Sequence, residues 1–572
     1  MLQVRHTSLS HALACLTPLA EPGSRTRPRP FWGTSSDGSP MALRDTLNLC
    51  DFRRNSHALL SVAHYAGTSV MLHIRVARSS SRTLRIALSH TSSRLTPRCA
   101  FRQCSSTTAP LPKPPADHRD LGVKQELFTT SIYSPGSPIF LPNGARIFNR
   151  LVEFLRKQYV HYGFQEVITP TIYKKSLWAK SGHLENYAED MFTVTSLSPS
   201  RSEGTENAEE DEYGLKPMNC PGHCLIFGSQ RHSYRDLPIR YADFSPLHRN
   251  EISGALSGLT RVRRFHQDDG HIFCRPSQIE EEIRRTLDFV KRTYEVFRLG
   301  PYRLVLSTRP LEHYIGSLEE WQQAEDALKR ALDHGGQTWT LNEGDGAFYG
   351  PKIDIILKDS DGREHQTATI QLDFQLPKRF ELEYEAPAPE LEVKGQTTTN
   401  PELLADYGRV RPVLIHRAVL GSVERLMALL IEHYDGKWPF WLNPRQVIIL
   451  TVNDSEPVVN MARLTRNTLL GTAPMSEPSA EAFAAPGDIS HPSQLAVDLD
   501  DSARSVSLKV REAKSKGYGV IVVVGPKNVT NGTVTVDTNG IPEGKDAPSE
   551  KPVEMKPDGL LQLLKSKVDA YQ

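Results

Sequence analysis

Lysine is absent from residues 1–110, which hold fourteen arginines and only four acidic residues, so this stretch carries +10 and the other 462 residues carry −9 within a chain of net charge +1. A uniformly cationic coat for nucleic acid is therefore excluded, and any anionic polymer bound by the remainder has to meet a local basic patch. Cysteine is scarce too: four of the seven lie before residue 105, leaving Cys220, Cys224 and Cys274. Three thiols so spaced build no disulfide framework and suit a reducing compartment. No apolar run is long enough for a membrane span, because Ser61, His64, Thr68, Ser69 and His73 interrupt the best stretch; a soluble protein is expected. No convincing internal repeat is present.

Residues 1–105 are instead rich in Arg, Ser and Thr and poor in acids, the composition of a mitochondrial transit segment. A disordered basic tail and a nucleic-acid-binding arm share that composition. The stretch from Met71 reads as a complete presequence by itself, which implies that residues 1–70 stem from an upstream start. N-terminal sequencing of the mature protein tests this. A Pro-rich linker follows at 106–120, and the length beyond it has room for two domains. We place them at 121–436 and 437–572, the change marked by Asp435–Pro444. An acidic stretch at 196–213 cannot support a core and reads as an insertion, as does the Ala-, Pro- and Ser-rich 471–493.

Within the first domain, Ile147, Leu151, Phe154, Leu155 and Tyr159 recur at helical spacing and Gly163 ends the helix; FQEVITPTI then reads as a strand up to Pro170. Ser277 and Glu280 have the spacing of a capping box ahead of an amphipathic helix through Ile283, Leu287, Val290, Tyr294 and Phe297. Residues 346–377 give two alternating strand runs joined at Asp359–Gly362, and 411–434 pass from a strand into a helix. The second domain alternates strand and helix through VIILTV, AVDLD and GVIVVVG, an α/β unit.

The most informative stretch runs from Arg240 to Cys274 and reads as strand, turn-rich loop, strand. By period-two alternation Arg261, Arg263, Phe265, Gln267, Asp269 and His271 share one face, as do Arg249 and Glu251. Two guanidinium groups, a ring, an amide, a carboxylate and an imidazole are too polar for core and suit a charged ligand with a flat ring. A solvated hairpin with scattered charge is the bland alternative.

The wording HRNE…RVRRFHQDDGHIFC resembles motif 2 of class II aminoacyl-tRNA synthetases, and within them the threonyl-tRNA synthetase family, from about Leu127 to Tyr434 and more weakly to the C-terminus. The helix–strand–Pro order resembles motif 1, the dimer-forming segment, and the strand–helix at 411–434 resembles motif 3. The resemblance implies a mixed α/β fold: an antiparallel class II catalytic sheet with flanking helices over 121–436, and a smaller α/β anticodon-binding domain over 437–572. It implies a homodimer in the mitochondrial matrix that joins threonine to tRNA(Thr) using ATP and Mg²⁺.

It also implies residue roles. Arg249 would hold the α-phosphate, Arg261 and Arg425 the outer phosphates, and these three would be catalytic, since adenylate formation needs preorganised positive charge and no protein nucleophile. Glu251 would take the adenine amino group, Phe265 would stack on the ring, and Gln371 would complete the ATP pocket. Asp269, Gln267, Tyr349, Lys352, Gln366 and Thr369 would surround threonine. Cys220, His271 and His416 would hold Zn²⁺, although spacings of 51 and 145 residues are unlike the close pairs of structural zinc sites. A local cluster of Cys220, His223 and Cys224, or three unrelated buried residues, are the rival readings; Cys224 falls where the family tends to carry an apolar residue and is assigned to core.

A site that bonds a buried hydroxyl rejects valine by roughly 10⁴–10⁵, whereas a missing methyl gives only about 10–200-fold, so serine is the dangerous competitor. The segment before residue 120 leaves no room for the domains that clear misattached serine, and no editing in cis is expected. Thr367 and Ala368 depart from the Cys-Gly pair common in the family, and Ala368 would narrow the pocket. Asn528 and Asp537 stand where the family carries anticodon-reading Glu and Arg; Lys509, Arg511, Lys514 and Lys516 could contact phosphates or form a solvated helix face. A serine or proline enzyme of the same class, and a catalytically dead RNA-binding paralogue, are the competing functions; the Cys/His/His set and the three arginines oppose them.

Overall fold

The computed structural model describes residues 115–195, 212–359, 362–472, 493–541 and 551–572. The expected targeting segment, most of the linker, residues 196–211 of the acidic insertion and residues 473–492 of the second insertion lie outside the described residues, as do residues 360–361 of the Asp359–Gly362 turn. The acidic insertion ends earlier than expected, because Tyr213 already belongs to a short strand, Tyr213–Leu215.

The main elements of the first domain, in chain order, are helix α1 (Pro142–Tyr162), strand β1 (Gln165–Glu166), helix α2 (Cys220–Gly228), strands β2 (Ile239–Asp243), β3 (Pro246–His248) and β4 (Arg264–Cys274), helix α3 (Ile279–Phe297), strand β5 (Arg303–Ser307), helix α4 (Leu318–His334), strands β6 (Trp339–Asn342), β7 (Lys352–Lys358), β8 (Glu364–Asp373) and β9 (Val413–Ser422), and helix α5 (Val423–His433). In α1 the five apolar residues singled out by spacing are all buried, each contributing about 1.5–3 kcal/mol. Pro142 sits in its first turn, and Gly163 closes it in the left-handed region at φ 72°.

Nine strands form one sheet in the order β6-β5-β7-β8-β9-β4-β2-β1, with β3 paired to β4. The central pairings from β5 to β2 are antiparallel, and the parallel pairs lie at the two margins. Helices α1, α3, α4 and α5 cover one face through a single apolar core. The other face carries the pocket described below. FQEVITPTI forms only the two-residue β1 at the sheet margin, shorter than its composition suggests.

Two local expectations are corrected. Ser277 and Glu280 form no capping box: the backbone of Arg275 and the Gln278 side chain make that contact two residues earlier, around a single 3-10 turn before α3. Glu280 instead accepts from His334 of α4. Arg263 does not share the face of Phe265, because regular strand begins at Arg264; its guanidinium donates to the Glu251 carbonyl outside the pocket.

The second domain contains β10 (Val447–Thr451), α6 (Glu456–Leu470), β11 (Val497–Asp500), α7 (Val506–Lys516), β12 (Val520–Val524), α8 (Pro526–Asn531), β13 (Val534–Asp537), β14 (Val553–Met555) and α9 (Pro557–Asp569). Its sheet runs β11-β10-β12-β13-β14, parallel across the first three strands and antiparallel thereafter. Lys509 is not surface charge. It is 1% exposed, and its ammonium donates to the Thr451 carbonyl and hydroxyl and to the Asp500 carbonyl. Lys514 pairs with Asp537 at 3.2 Å. Asn528 is also buried, its amide spanning Gly525 and Thr535. The two domains are pinned by Arg150 of α1, which donates to Asn443, Gln446 and Gln494; burial lowers its pKa to about 10.

Candidate active site

Two rows of side chains crossing the open face of the sheet build the floor of a cavity of about 440 Å³. Register sets the first row: Ser307, Lys352, Gln371, His416, His271 and Tyr241 are successive cross-strand partners from β5 to β2. Two residues along each strand, and therefore on the same face, a second row runs Asp354, Thr369, Ala418, Asp269 and Asp243. The methyl of Ala418 is the smallest group in that row and leaves the space between Asp269 and Thr369 open.

Strand alternation alone would place Gln366 on the opposite face from Thr369 and Gln371. A bulge solves this. Ile355 pairs with Ala368 and Ile356 with Gln366, leaving Thr367 unpaired and reversing the parity. The Thr367 hydroxyl anchors the bulge, bonded to Tyr294 at 2.7 Å and to the Ile355 carbonyl at 3.2 Å. Gln366 and Thr369 then both donate to Asp354, which also pairs with Lys352 at 3.0 Å. Burial raises the Asp354 carboxyl above its ordinary range against the pull of Lys352.

Where the first row crosses β9 and β4, Cys220, His271 and His416 present one ligand atom each within 4.8 Å of one another, and all three are buried. Cys220 opens α2; the two imidazoles come from directly opposed positions on β4 and β9, which is how residues 145 apart meet. His271 Nε2 faces His416 Nδ1 at 2.9 Å. Tetrahedral zinc with Zn–N bonds of 2.0–2.1 Å needs ~3.3 Å between its nitrogens, so the donors are close to ligand geometry. His416 Nε2 donates to Asp373 at 2.8 Å, and a carboxylate there leaves Nδ1 as a free lone pair. His271 Nδ1 is buried without a hydrogen bond, 3.9 Å from the Asp269 carboxylate. Burial pushes the Cys220 thiol far up and His271 far down, so a thiolate beside neutral imidazoles is the form that a cation would stabilise. The donor set therefore fits Zn²⁺. His223 and Cys224 are buried behind it, and Cys224 packs in an apolar cluster with Phe227 and Phe273, as core.

Further along β4 and β9, past both rows, lie the arginines. Arg249 sits 5.1 Å from the Phe265 ring. Arg425, on α5, donates to the Thr260 carbonyl at 3.0 Å and the Gln366 carbonyl at 3.2 Å. Burial, then the charges of Arg249 and Arg261, lower its pKa; three cations converging beside Glu251 leave a net positive charge that suits a polyanion. Arg261 is paired to Glu251 at 2.7 Å, but its side chain is 54% exposed, so the pair is worth at most about 1 kcal/mol and exchanges readily for a ligand.

All fifteen residues expected at the site line this one cavity, including Gln267, Tyr349 and Gln371; the Tyr349 hydroxyl donates to Gln371. Sequence reasoning missed Asp354 and Asp373, which hold the site residues in place, and Met218, Phe348 and Tyr187, which line it. Strand parity with Lys352 and Gln371 was the available signal for the two aspartates. Beneath the floor, Asp268 accepts from Arg417, Val419 and Leu420, and the Arg417 guanidinium lies 4.2 Å from Phe164 and 4.9 Å from Tyr159. Gly270 makes room for it, since a Cβ there would come within 2.4 Å of Arg417 Nε.

Comparison with known proteins converges on the same chemistry. Residues 204–434 match the tRNA synthetase class II core domain (G, H, P, S and T), and residues 479–566 match an anticodon binding domain. The mitochondrial threonine–tRNA ligase of Saccharomyces cerevisiae is 48% identical over 417 residues, 71% of this chain and 83% of the relative. The mitochondrial threonine–tRNA ligase 1 of Arabidopsis thaliana is 49% identical over 420 residues, 73% of this chain but only 52% of that longer protein. The crystal structure of the RNA binding domain of threonyl-tRNA synthetase from Cryptosporidium parvum superposes with TM-score 0.65 at 43% identity, covering 79% of this chain and 98% of that one. The chain belongs to the threonine–tRNA ligase family of class II aminoacyl-tRNA synthetases, ATP-dependent enzymes that activate threonine and attach it to tRNA(Thr).

Proposed function

We propose that the cavity performs both half-reactions of threonyl-tRNA synthesis, with the division of labour set by its two ends. The observation that carries this reading is one cavity lined by a Cys/His/His donor set and, further along strands β4 and β9, by three arginines. At the arginine end, Arg249 neutralises the α-phosphate while Arg261 and Arg425 take the departing pyrophosphate, whose charge a bound Mg²⁺ would share; Phe265 stacks on adenine and Glu251 accepts a hydrogen bond from its amino group. Gln371 closes that half. In the other part, Cys220, His271 and His416 would hold Zn²⁺, which when bound would supply Lewis-acid binding of the amino acid. Asp269, Gln267, Tyr349, Lys352, Gln366 and Thr369 orient the amino acid, so that its carboxylate faces the α-phosphorus for in-line displacement. A buried hydroxyl partner rejects valine far more strongly than it rejects serine.

The domain boundaries at 121–436 and 437–572 assign catalysis and anticodon binding. The chain works in the mitochondrial matrix: the arginine-rich N-terminal composition and the kinship with mitochondrial relatives support this, and no helix among the described residues is long and apolar enough to cross a membrane. It acts as a homodimer, supported by the exposed Val160 on α1 and Ile168 just after β1. ATP–pyrophosphate exchange with threonine, serine, valine and proline, before and after chelation, tests the reading. Threonine-dependent exchange that is lost with the metal and restored by Zn²⁺ is expected; proline-dependent exchange, or full threonine exchange in verified metal-free enzyme, overturns it.

A further inference from the structure

Outside the pocket, one buried imidazole ties three separate parts of the chain together. His118 begins a short helix, His118–Lys124, and is 5% exposed. Its Nδ1 lies 2.7 Å from Glu432 of α5, and its backbone N–H donates to the same carboxylate. Its Nε2 accepts from the Leu259 backbone N–H at 3.2 Å. These two partners assign the tautomer: an N–H donor faces Nε2, so the proton sits on Nδ1 and is given to Glu432. Both ring nitrogens are used, and Asp117 nearby is taken up by Arg119, so the group is not a cation site.

What His118 holds is the loop between β3 and β4. Gly258 approaches the ring so closely that a Cβ would lie 2.1 Å from Nε2, and its φ of +48° already disfavours a side chain. The next residues are Thr260, whose carbonyl accepts from Arg425, and Arg261, whose side chain enters the pocket. Arg425 and Glu432 lie seven residues apart on α5, about two turns, and so share a face. The loop is therefore fixed twice to that helix, once directly by Arg425 and once through His118.

We propose that His118 is a positioning residue for the nucleotide end of the site: by holding Leu259 it sets the geometry in which Arg261 and Arg425 meet the phosphates. The inference rests on the nucleotide role assigned to those arginines above. Threonine sits by the Cys/His/His set in the other part of the cavity, so the effect is selective for ATP.

The test is pyrophosphate exchange by the full chain, with ATP and threonine titrated separately. His118→Ala leaves the Leu259 N–H unpaired and is expected to lower kcat/KM for ATP about tenfold while KM for threonine stays unchanged. His118→Gln, whose amide oxygen can accept from Leu259, is expected to recover most of the loss. In an Arg261→Ala background, His118→Ala should add little further. If His118→Ala does not fold, Gly258→Ala pushes the loop off the ring from the other side and must give the same ATP-selective loss. An unaltered response to ATP, or equal damage to both substrates, beside a damaged Arg261→Ala enzyme, overturns the His118 inference alone. An undamaged Arg261→Ala enzyme overturns the nucleotide reading and the inference with it.

Discussion

Asp373 offers the sharpest test of the metal end of the pocket, because it touches a presumptive ligand without being one. Its Oδ2 accepts from His416 Nε2 at 2.8 Å, while Oδ1 accepts from the backbone of Gln375 at 2.6 Å and Leu376 at 3.1 Å. It is fully buried. A carboxylate only accepts, so His416 has to carry its proton on Nε2 and turn an unprotonated Nδ1 towards His271 and Cys220. In Asp373→Asn the amide oxygen can keep the two backbone bonds, which leaves an NH₂ donor facing Nε2. The imidazole then shifts its proton to Nδ1, and the lone pair meant for the metal disappears. Loss of such a partner costs about 10–100-fold in metal affinity, or roughly 1.4–2.7 kcal/mol. Competition with a chromophoric chelator measures the affinity directly. Threonine-dependent exchange in zinc buffers should shift to higher free zinc by the same factor and recover at saturation. Unchanged zinc affinity in a folded Asp373→Asn protein would refute the tautomer argument.

Three further outcomes follow from the buried charges. Asp268→Ala strands the Arg417 guanidinium beneath the site floor and should cost about 3–5 kcal/mol in urea unfolding. Burial pushes the Asp243 carboxyl up, but the His223 ring 3.8 Å away, bonds from Ser245 and Thr169 and the charge of Lys216 outweigh it and hold the group below its unfolded value of 3.8. Its stabilisation is therefore complete above that value and lost as pH falls below about 4, so Asp243→Asn should flatten the acid limb of stability against pH. Lys509→Met should destabilise the second domain by about 2 kcal/mol, because three buried acceptors lose their donor, while the salt dependence of tRNA binding stays the same.

How much was legible in the sequence depended on whether a residue's role followed from its neighbours along the chain or across the sheet. Helix α1 was readable because its apolar spacing, its first-turn proline and its terminal glycine are all local signals. Lys509 was misread for the same reason. Within α7 it looks like one of several charges on a solvated face, and only the packing of α7 against β10 and β11 reveals the three acceptors that bury its ammonium. Asp354 and Asp373 have partners that lie across the sheet or further along the strand; strand parity puts them on the site face, but only the pairing across the sheet reveals what they hold.

The bulge at Thr367 shows why a motif can locate site residues whose common orientation plain alternation denies. Gln366 differs in parity from Thr369 and Gln371, so a regular strand would turn its amide into the apolar core that α3 covers. One unpaired residue reverses this, and the reversal is held by a hydroxyl bonded to Tyr294 and to the Ile355 carbonyl. Thr367 is one of the two positions at which this chain departs from the usual Cys-Gly pair. A threonine hydroxyl makes both bonds here, while the methyl of Ala368 is buried on the core side of the strand among Ile355, Ile370 and Val419. Ala368 is also among the residues that line the cavity. What the departure changes is the fastening of the bulge, and through it the aim of Gln366 at Asp354 and of its carbonyl at Arg425.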